Sequence, residues 1–160
     1  MIIESDKIQP MLDFSKEKYD AETFEHAKRV AEYTIHSPLF VYAVKYVFND
    51  INVLYCIALA HDLIEDTDAT MTEIIHRMPC PVNSTDVICA KHAENVISDS
   101  LYYLTRAGET YHQYCKRIRE YGGMAAYCIK LADMKDHLTL KETLTDSLKE
   151  RYISGLSALL

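Results

Sequence analysis

Apolar residues recur at three- and four-residue spacing along nearly the whole chain, and no stretch alternates apolar with polar positions as a half-buried strand would. The pattern predicts an all-α, compact single-domain bundle of about eight or nine helices. They are expected over residues 5–18, 21–36, 39–48, 51–66, 70–79, 84–103, 110–121, 124–141 and 144–160. Local chemistry supports several boundaries. Asp20 and Asp50 are suited to cap the second and fourth helices, and Thr70-Met71-Thr72-Glu73 fits a capping box. Pro38 disfavours helical geometry in the residue before it, Gly122-Gly123 closes the helix before it, and Pro10 should kink or interrupt the first helix.

The composition is that of one globular domain covering residues 1–160, with 49% hydrophobic and 26% charged residues, enough to bury a core. Four glycines and four prolines leave little material for hairpins or linkers. The first residues lack the basic and apolar blocks of a signal peptide, and charge breaks every apolar run before about 20 residues. A soluble, cytoplasmic protein is the expectation. Cys56, Cys80, Cys89, Cys115 and Cys128 are odd in number and form no C-x-x-C pair, so they read as small buried hydrophobes in a reducing compartment. The net charge of −7 argues against nonspecific partnership with nucleic acid or an anionic membrane. A small anionic substrate remains compatible if cations gather locally. The last helix carries an apolar stripe of Leu144, Leu148, Tyr152, Leu156 and Leu159, expected to pack on the core; a homo-oligomer is possible but not implied.

The most concentrated chemistry lies in Leu59-Ala60-His61-Asp62-Leu63-Ile64-Glu65-Asp66-Thr67. On one continuous helix, His61, Asp62, Glu65 and Asp66 would fall within an arc of roughly 140°. Carboxylates crowding a helix C-terminus oppose the macrodipole and repel each other, objections that a bound cation removes. His26 sits mid-helix in the second predicted element. Asp133 is set among apolar residues, where a lone carboxylate is costly unless paired or metal-bound. His26, His61, Asp62 and Asp133 would supply two imidazoles and two carboxylates, a donor set suited to Mn²⁺, Fe²⁺ or Zn²⁺.

A histidine, a downstream His-Asp doublet and a distant aspartate resemble the signature of the HD phosphohydrolase superfamily, an all-helical metal-dependent fold. Within it, His61-Asp62-Leu63-Ile64-Glu65-Asp66-Thr67 and Lys130-Leu131-Ala132-Asp133 look like the hydrolase domain of the RelA/SpoT homologues, and Leu104-Thr105-Arg106 is similar to that family's Leu-Thr-Lys segment. The resemblance runs from about His26 to His137 and matches the small, hydrolase-only members in length. It implies His26, His61, Asp62 and Asp133 as metal ligands, Mn²⁺ as the ion, and Glu65 and Asp66 as the catalytic pair that orients and deprotonates the attacking water. It implies removal of the 3′-pyrophosphate from (p)ppGpp. Two features depart from it: the basic-glycine-Pro-Tyr arm before the first histidine is replaced by residues 19–25, and His137 stands where the family usually has asparagine.

Phosphate chemistry needs positive charge. Lys130, Asp133, His137 and Lys141 follow i, i+3, i+7, i+11 spacing, so Lys130 is a candidate phosphate contact or a partner for Asp133, and His137 a candidate sugar or phosphate contact. Arg29, a turn after His26, and Arg106 are further substrate candidates. Residues 111–121 mix tyrosines with basic side chains, as either a base-stacking surface or a solvated helix face with tyrosines inward. The expected function is a metal-dependent nucleotide phosphohydrolase, first of all a (p)ppGpp 3′-pyrophosphohydrolase. The alternatives are another HD phosphohydrolase acting on a nucleoside phosphate, a dNTP or NADPH, and a non-catalytic nucleotide-binding module.

Overall fold

The computed structural model describes residues 2–79, 87–140 and 144–160, and of residues 87–89 the backbone. The described residues are all-helical: α1 Ser5–Lys18, α2 Ala21–Ile35, α3 Phe40–Tyr46, α4 Ile51–Leu59, α5 Leu63–Asp66, α6 Met71–Ile75, α7 Val87–Leu104, α8 Tyr111–Tyr121, α9 Gly123–Thr139 and α10 Asp146–Leu159. Cys80, the Cys89 side chain, the predicted helix start at residues 84–86 and Lys141 lie outside the described residues.

Every residue of α4 is buried, as expected of a helix apolar on all sides, and α1 and α2 pack along it. Asp50 caps α4 by accepting from Asn52 N at 2.8 Å, and the buried Asn52 amide accepts from Glu4 N at 2.9 Å, fixing α1 to the start of the core helix. Pro10 does not interrupt α1. It lies on the exposed face, where the Asp6 carbonyl that loses its helical donor can meet water. Asp20 caps α2 through Thr23 N at 2.8 Å, and the capping box at Thr70 and Glu73 forms as its sequence predicts. Among the described residues no single helix is long and apolar enough to cross a membrane.

α9 crosses α2, α3 and α7, while α10 lies mainly along α8. The α8–α9 junction needs glycine: Gly123 has φ +67°, and a Cβ there would come within 2.5 Å of the Tyr46 ring. α10 approaches α8 through Gly155, where a Cβ would meet Tyr111 at 2.5 Å. The hydrophobic stripe of α10 does pack inward: Tyr152 and Leu159 are buried, and Leu144, Leu148 and Leu156 rest against the core. Cys56, Cys115 and Cys128 are buried free thiols.

The predicted helix over 51–66 is two helices. In a continuous helix Asp62 N–H would bond the Ala58 carbonyl. Instead the His61 ring takes that carbonyl, with Nδ1 2.8 Å from Ala58 O, and the Tyr19 hydroxyl donates to Leu59 O at 3.4 Å. With the last two carbonyls of α4, those of Ala58 and Leu59, engaged by side chains, the backbone turns at Ala60 and Asp62, both near ψ 0°, before α5 resumes. His61, Asp62, Glu65 and Asp66 therefore do not share one helix face; the doublet sits in a turn and the two acids on the short helix beyond it.

Candidate metal centre

The turn aims His61 and Asp62 at residues from two other helices. His26 comes from the middle of α2 and Asp133 from the middle of α9, both on faces turned to the core. His61 Nε2 lies 3.0 Å from Asp62 Oδ2, and His26 Nε2 lies 4.0 Å from that oxygen and 3.3 Å from Asp133 Oδ1. The same Asp133 oxygen is 3.9 Å from His61 Nε2. All four predicted ligands thus converge.

Each histidine is held from behind. His61 Nδ1 faces a carbonyl, which can only accept, so that nitrogen carries the proton and Nε2 presents its lone pair when the ring is neutral. His26 Nδ1 donates to Asp136 Oδ2 at 2.7 Å. Asp136 is buried and also accepts from Arg29, through Nε to Oδ1 at 2.8 Å and Nη2 to Oδ2 at 2.9 Å. This is the support that metal-ligating imidazoles require, and it fixes both tautomers. Sequence reasoning missed Asp136. The signal was present: a second carboxylate three residues after Asp133 on one helix face.

The fit to a cation is visible in the orphaned atoms. Nε2 of His26 and Nε2 of His61 are buried, neighbour carboxylates, and make no hydrogen bond. Buried polar atoms are rarely left so, and those of a binding site are the usual exception. Burial pulls both imidazole pKa values down, but the acids around them more than reverse this. Asp62 and then Asp133 push His61 up to about 9, and Asp133 with Asp136 raises His26 above its ordinary value. The cluster asks for positive charge, and mixed imidazole and carboxylate donors suit a divalent first-row ion.

No protein-family model, no curated protein and no solved structure matches the chain.

His26, Asp62 and Asp133 form the floor of a cavity of about 320 Å³, with His61 beneath it. Glu65 and Asp66 line it from α5, Arg106 from the loop after α7, Lys130 and His137 from α9, and Arg151 and Tyr152 from α10. Burial, with Asp62 and Glu65 nearby, raises the Asp66 pKa from its ordinary value, the direction that strengthens a carboxylate as a base. Glu65 is tied to the α7–α8 loop, accepting from Arg106 N at 3.0 Å with the guanidinium Nε at 3.9 Å. Lys130 is buried and donates to Asp133 Oδ2 at 2.7 Å, with its ammonium over the Tyr114 and Tyr111 rings. Burial works against the Asp133 carboxylate, yet Lys130, His137 and His26 hold it well below its usual range.

The remaining candidates fall as follows. Arg29 is not in this cavity; it lines an adjoining one of about 330 Å³ while engaged by Asp136. His137 sits within 3.2 Å of Asp133 Oδ1. On α8, Tyr114 is buried and Tyr111 half-buried toward the cavity, whereas His112, Gln113, Lys116, Arg119 and Tyr121 are exposed, so two of the three tyrosines face inward and most of the charge faces outward. In the sequence, Arg151 and Tyr152 stand out only as part of an amphipathic helix. Nothing in the α10 pattern distinguishes a tyrosine that packs from one that also walls a site.

Proposed function

We propose that this protein is a divalent-metal-dependent phosphohydrolase of the HD type acting on a nucleotide, with guanosine 3′,5′-bis(diphosphate) as the leading substrate and loss of its 3′-pyrophosphate as the reaction. The observation that carries the reading is the pairing of the two orphaned Nε2 atoms with Asp62 and Asp133, beneath a cavity that also holds three further acids and three cationic side chains.

His26, His61, Asp62 and Asp133 would hold the ion, which when bound supplies a Lewis acid that lowers the pKa of the attacking water. Asp66, with its raised pKa, takes the water proton. Glu65, anchored by Arg106, orients the water, and hydrolysis breaks the bond between ribose O3′ and the adjacent phosphorus. Lys130, Arg106 and Arg151 stand against the charge that develops on the phosphoryl oxygens. The same cavity rim favours a second reading. Where the resembled family has a basic arm, Glu22 and Thr23 line the opening. These groups suit sugar hydroxyls better than an extra phosphate, so another nucleoside phosphate, a dNTP or NADPH is the alternative substrate.

Phosphorus NMR of products from a nucleotide panel, run with Mn²⁺-loaded protein, tests the reading. Pyrophosphate released from the bis(diphosphate) is the expected result; orthophosphate or triphosphate from another nucleotide selects the alternative, and no turnover of any nucleotide overturns both. Asp66→Asn should lower kcat by about 10²–10⁴-fold while leaving metal content unchanged.

A further inference from the structure

His137 lies one turn after Asp133 on α9, on the same face of the helix. Its Nε2 is 3.2 Å from Asp133 Oδ1, the oxygen already approached by His26 Nε2 at 3.3 Å and His61 Nε2 at 3.9 Å. Three imidazole nitrogens therefore surround one carboxylate oxygen. Donor atoms of His26, Asp133 and His137 lie within 4.8 Å of one another, and so do those of His26, His61 and Asp62. The two triads share His26. The ring of His137 is fixed between neighbours, stacked on Tyr152 at 4.9 Å and 14° on one side and 4.7 Å from the His26 ring on the other. A side chain positioned to contact a nucleotide would turn its nitrogen to the cavity mouth; this one turns Nε2 to the metal cluster.

We propose that His137 is a fifth protein donor of the metal centre, and that the third imidazole biases the site toward Zn²⁺ and away from Mn²⁺. The proposal rests on the metal-site reading above and replaces the expected role of His137 as a substrate contact. Imidazole nitrogen favours Zn²⁺ and the later first-row ions, whereas carboxylate and water suit Mn²⁺, so replacing an amide by imidazole at this position shifts selectivity in a defined direction.

The test uses the full chain stripped of metal by a chelator. X-ray absorption of the Zn²⁺-loaded protein counts imidazoles directly: three are expected in the unaltered protein and two in His137→Asn. Competition titrations with Zn²⁺ and Mn²⁺ give the second readout, and the ratio of the two affinities should fall at least about tenfold in His137→Asn. Two imidazoles in the unaltered protein, or an unchanged affinity ratio in the variant, overturns the proposal. Neither readout involves a nucleotide. A three-imidazole zinc site in a protein that hydrolyses no nucleotide counts against the proposed function and not against His137; turnover by a two-imidazole site does the reverse.

Discussion

The floor and the rim of the cavity are built by opposite rules. On the floor the donors are backed by fixed partners: His61 by a backbone carbonyl, His26 by the buried Asp136, which half-exposed Arg29 holds in turn, and Asp133 by the buried Lys130. On the rim, Arg106, Glu65 and Arg151 are held by half-exposed contacts in which solvent competes. A divalent ion demands donors fixed in place before it arrives, whereas a flexible anionic ligand can be met by side chains that adjust. Substitutions should therefore act differently in the two regions: on the floor they cost metal, and at the buried Asp133 stability as well, whereas on the rim they cost turnover with the metal retained.

The largest effect is expected at Asp133. Asp133→Ala removes the partner of a buried ammonium and should destabilise the fold by about 3–5 kcal/mol, with loss of bound metal. Thermal melting and metal analysis check both. Adding Lys130→Met should recover much of the stability and none of the metal. Recovery of both would erase the distinction between ion pair and donor.

Asp136→Asn comes next. It keeps the shape behind His26 but weakens its hold, and metal affinity should fall about 10–100-fold with the fold intact. An unchanged affinity would mean that His26 needs no support. On the rim, Arg151→Ala should lower kcat/KM about tenfold, the loss of one ionic contact, with metal affinity unaltered. A fall in metal affinity as well would join the two regions into one.

The smallest effect is one of pH. In the metal-free protein the folded His61 pKa is raised to about 9. Its contribution to stability is complete below the unfolded value of about 6.5 and is lost as pH rises through the folded one. The low pKa of Asp133 adds no slope there, because that group is ionised in both states throughout this window. Metal-free protein should melt at falling temperatures from about pH 6.5 to 9, while loaded protein should not, since the ion binds the neutral imidazole and gains as protons leave.

How much of this is legible in the chain follows the same division. Among the candidate donors, Asp133 stands out because a carboxylate among apolar residues is costly unless a partner or an ion satisfies it, and His26, His61 and Asp62 through the spacing of the histidine and the His-Asp doublet. The all-helical fold is readable from periodicity alone, and the Asp20, Asp50 and Thr70 caps form as their local chemistry directs. The break at residues 60–62 is not legible. Helical spacing continues straight through it, and the competing bond from the His61 ring to Ala58 is a choice between two local partners that no periodicity records. Asp136, Arg151 and Tyr152 escape notice for a different reason: their roles come from which helices lie beside them.

Gly155 has a consequence for motion. Without a side chain there, α10 rests directly on Tyr111 and brings Arg151 and Tyr152 to the cavity, yet it contributes none of the metal donors. A side chain at this position would push the helix off α8, so Gly155→Ala should loosen α10 while leaving the cluster on α2, the turn after α4 and α9 assembled. Amide exchange would register this as faster opening of α10 than of α9. This wall would then set access to the cavity.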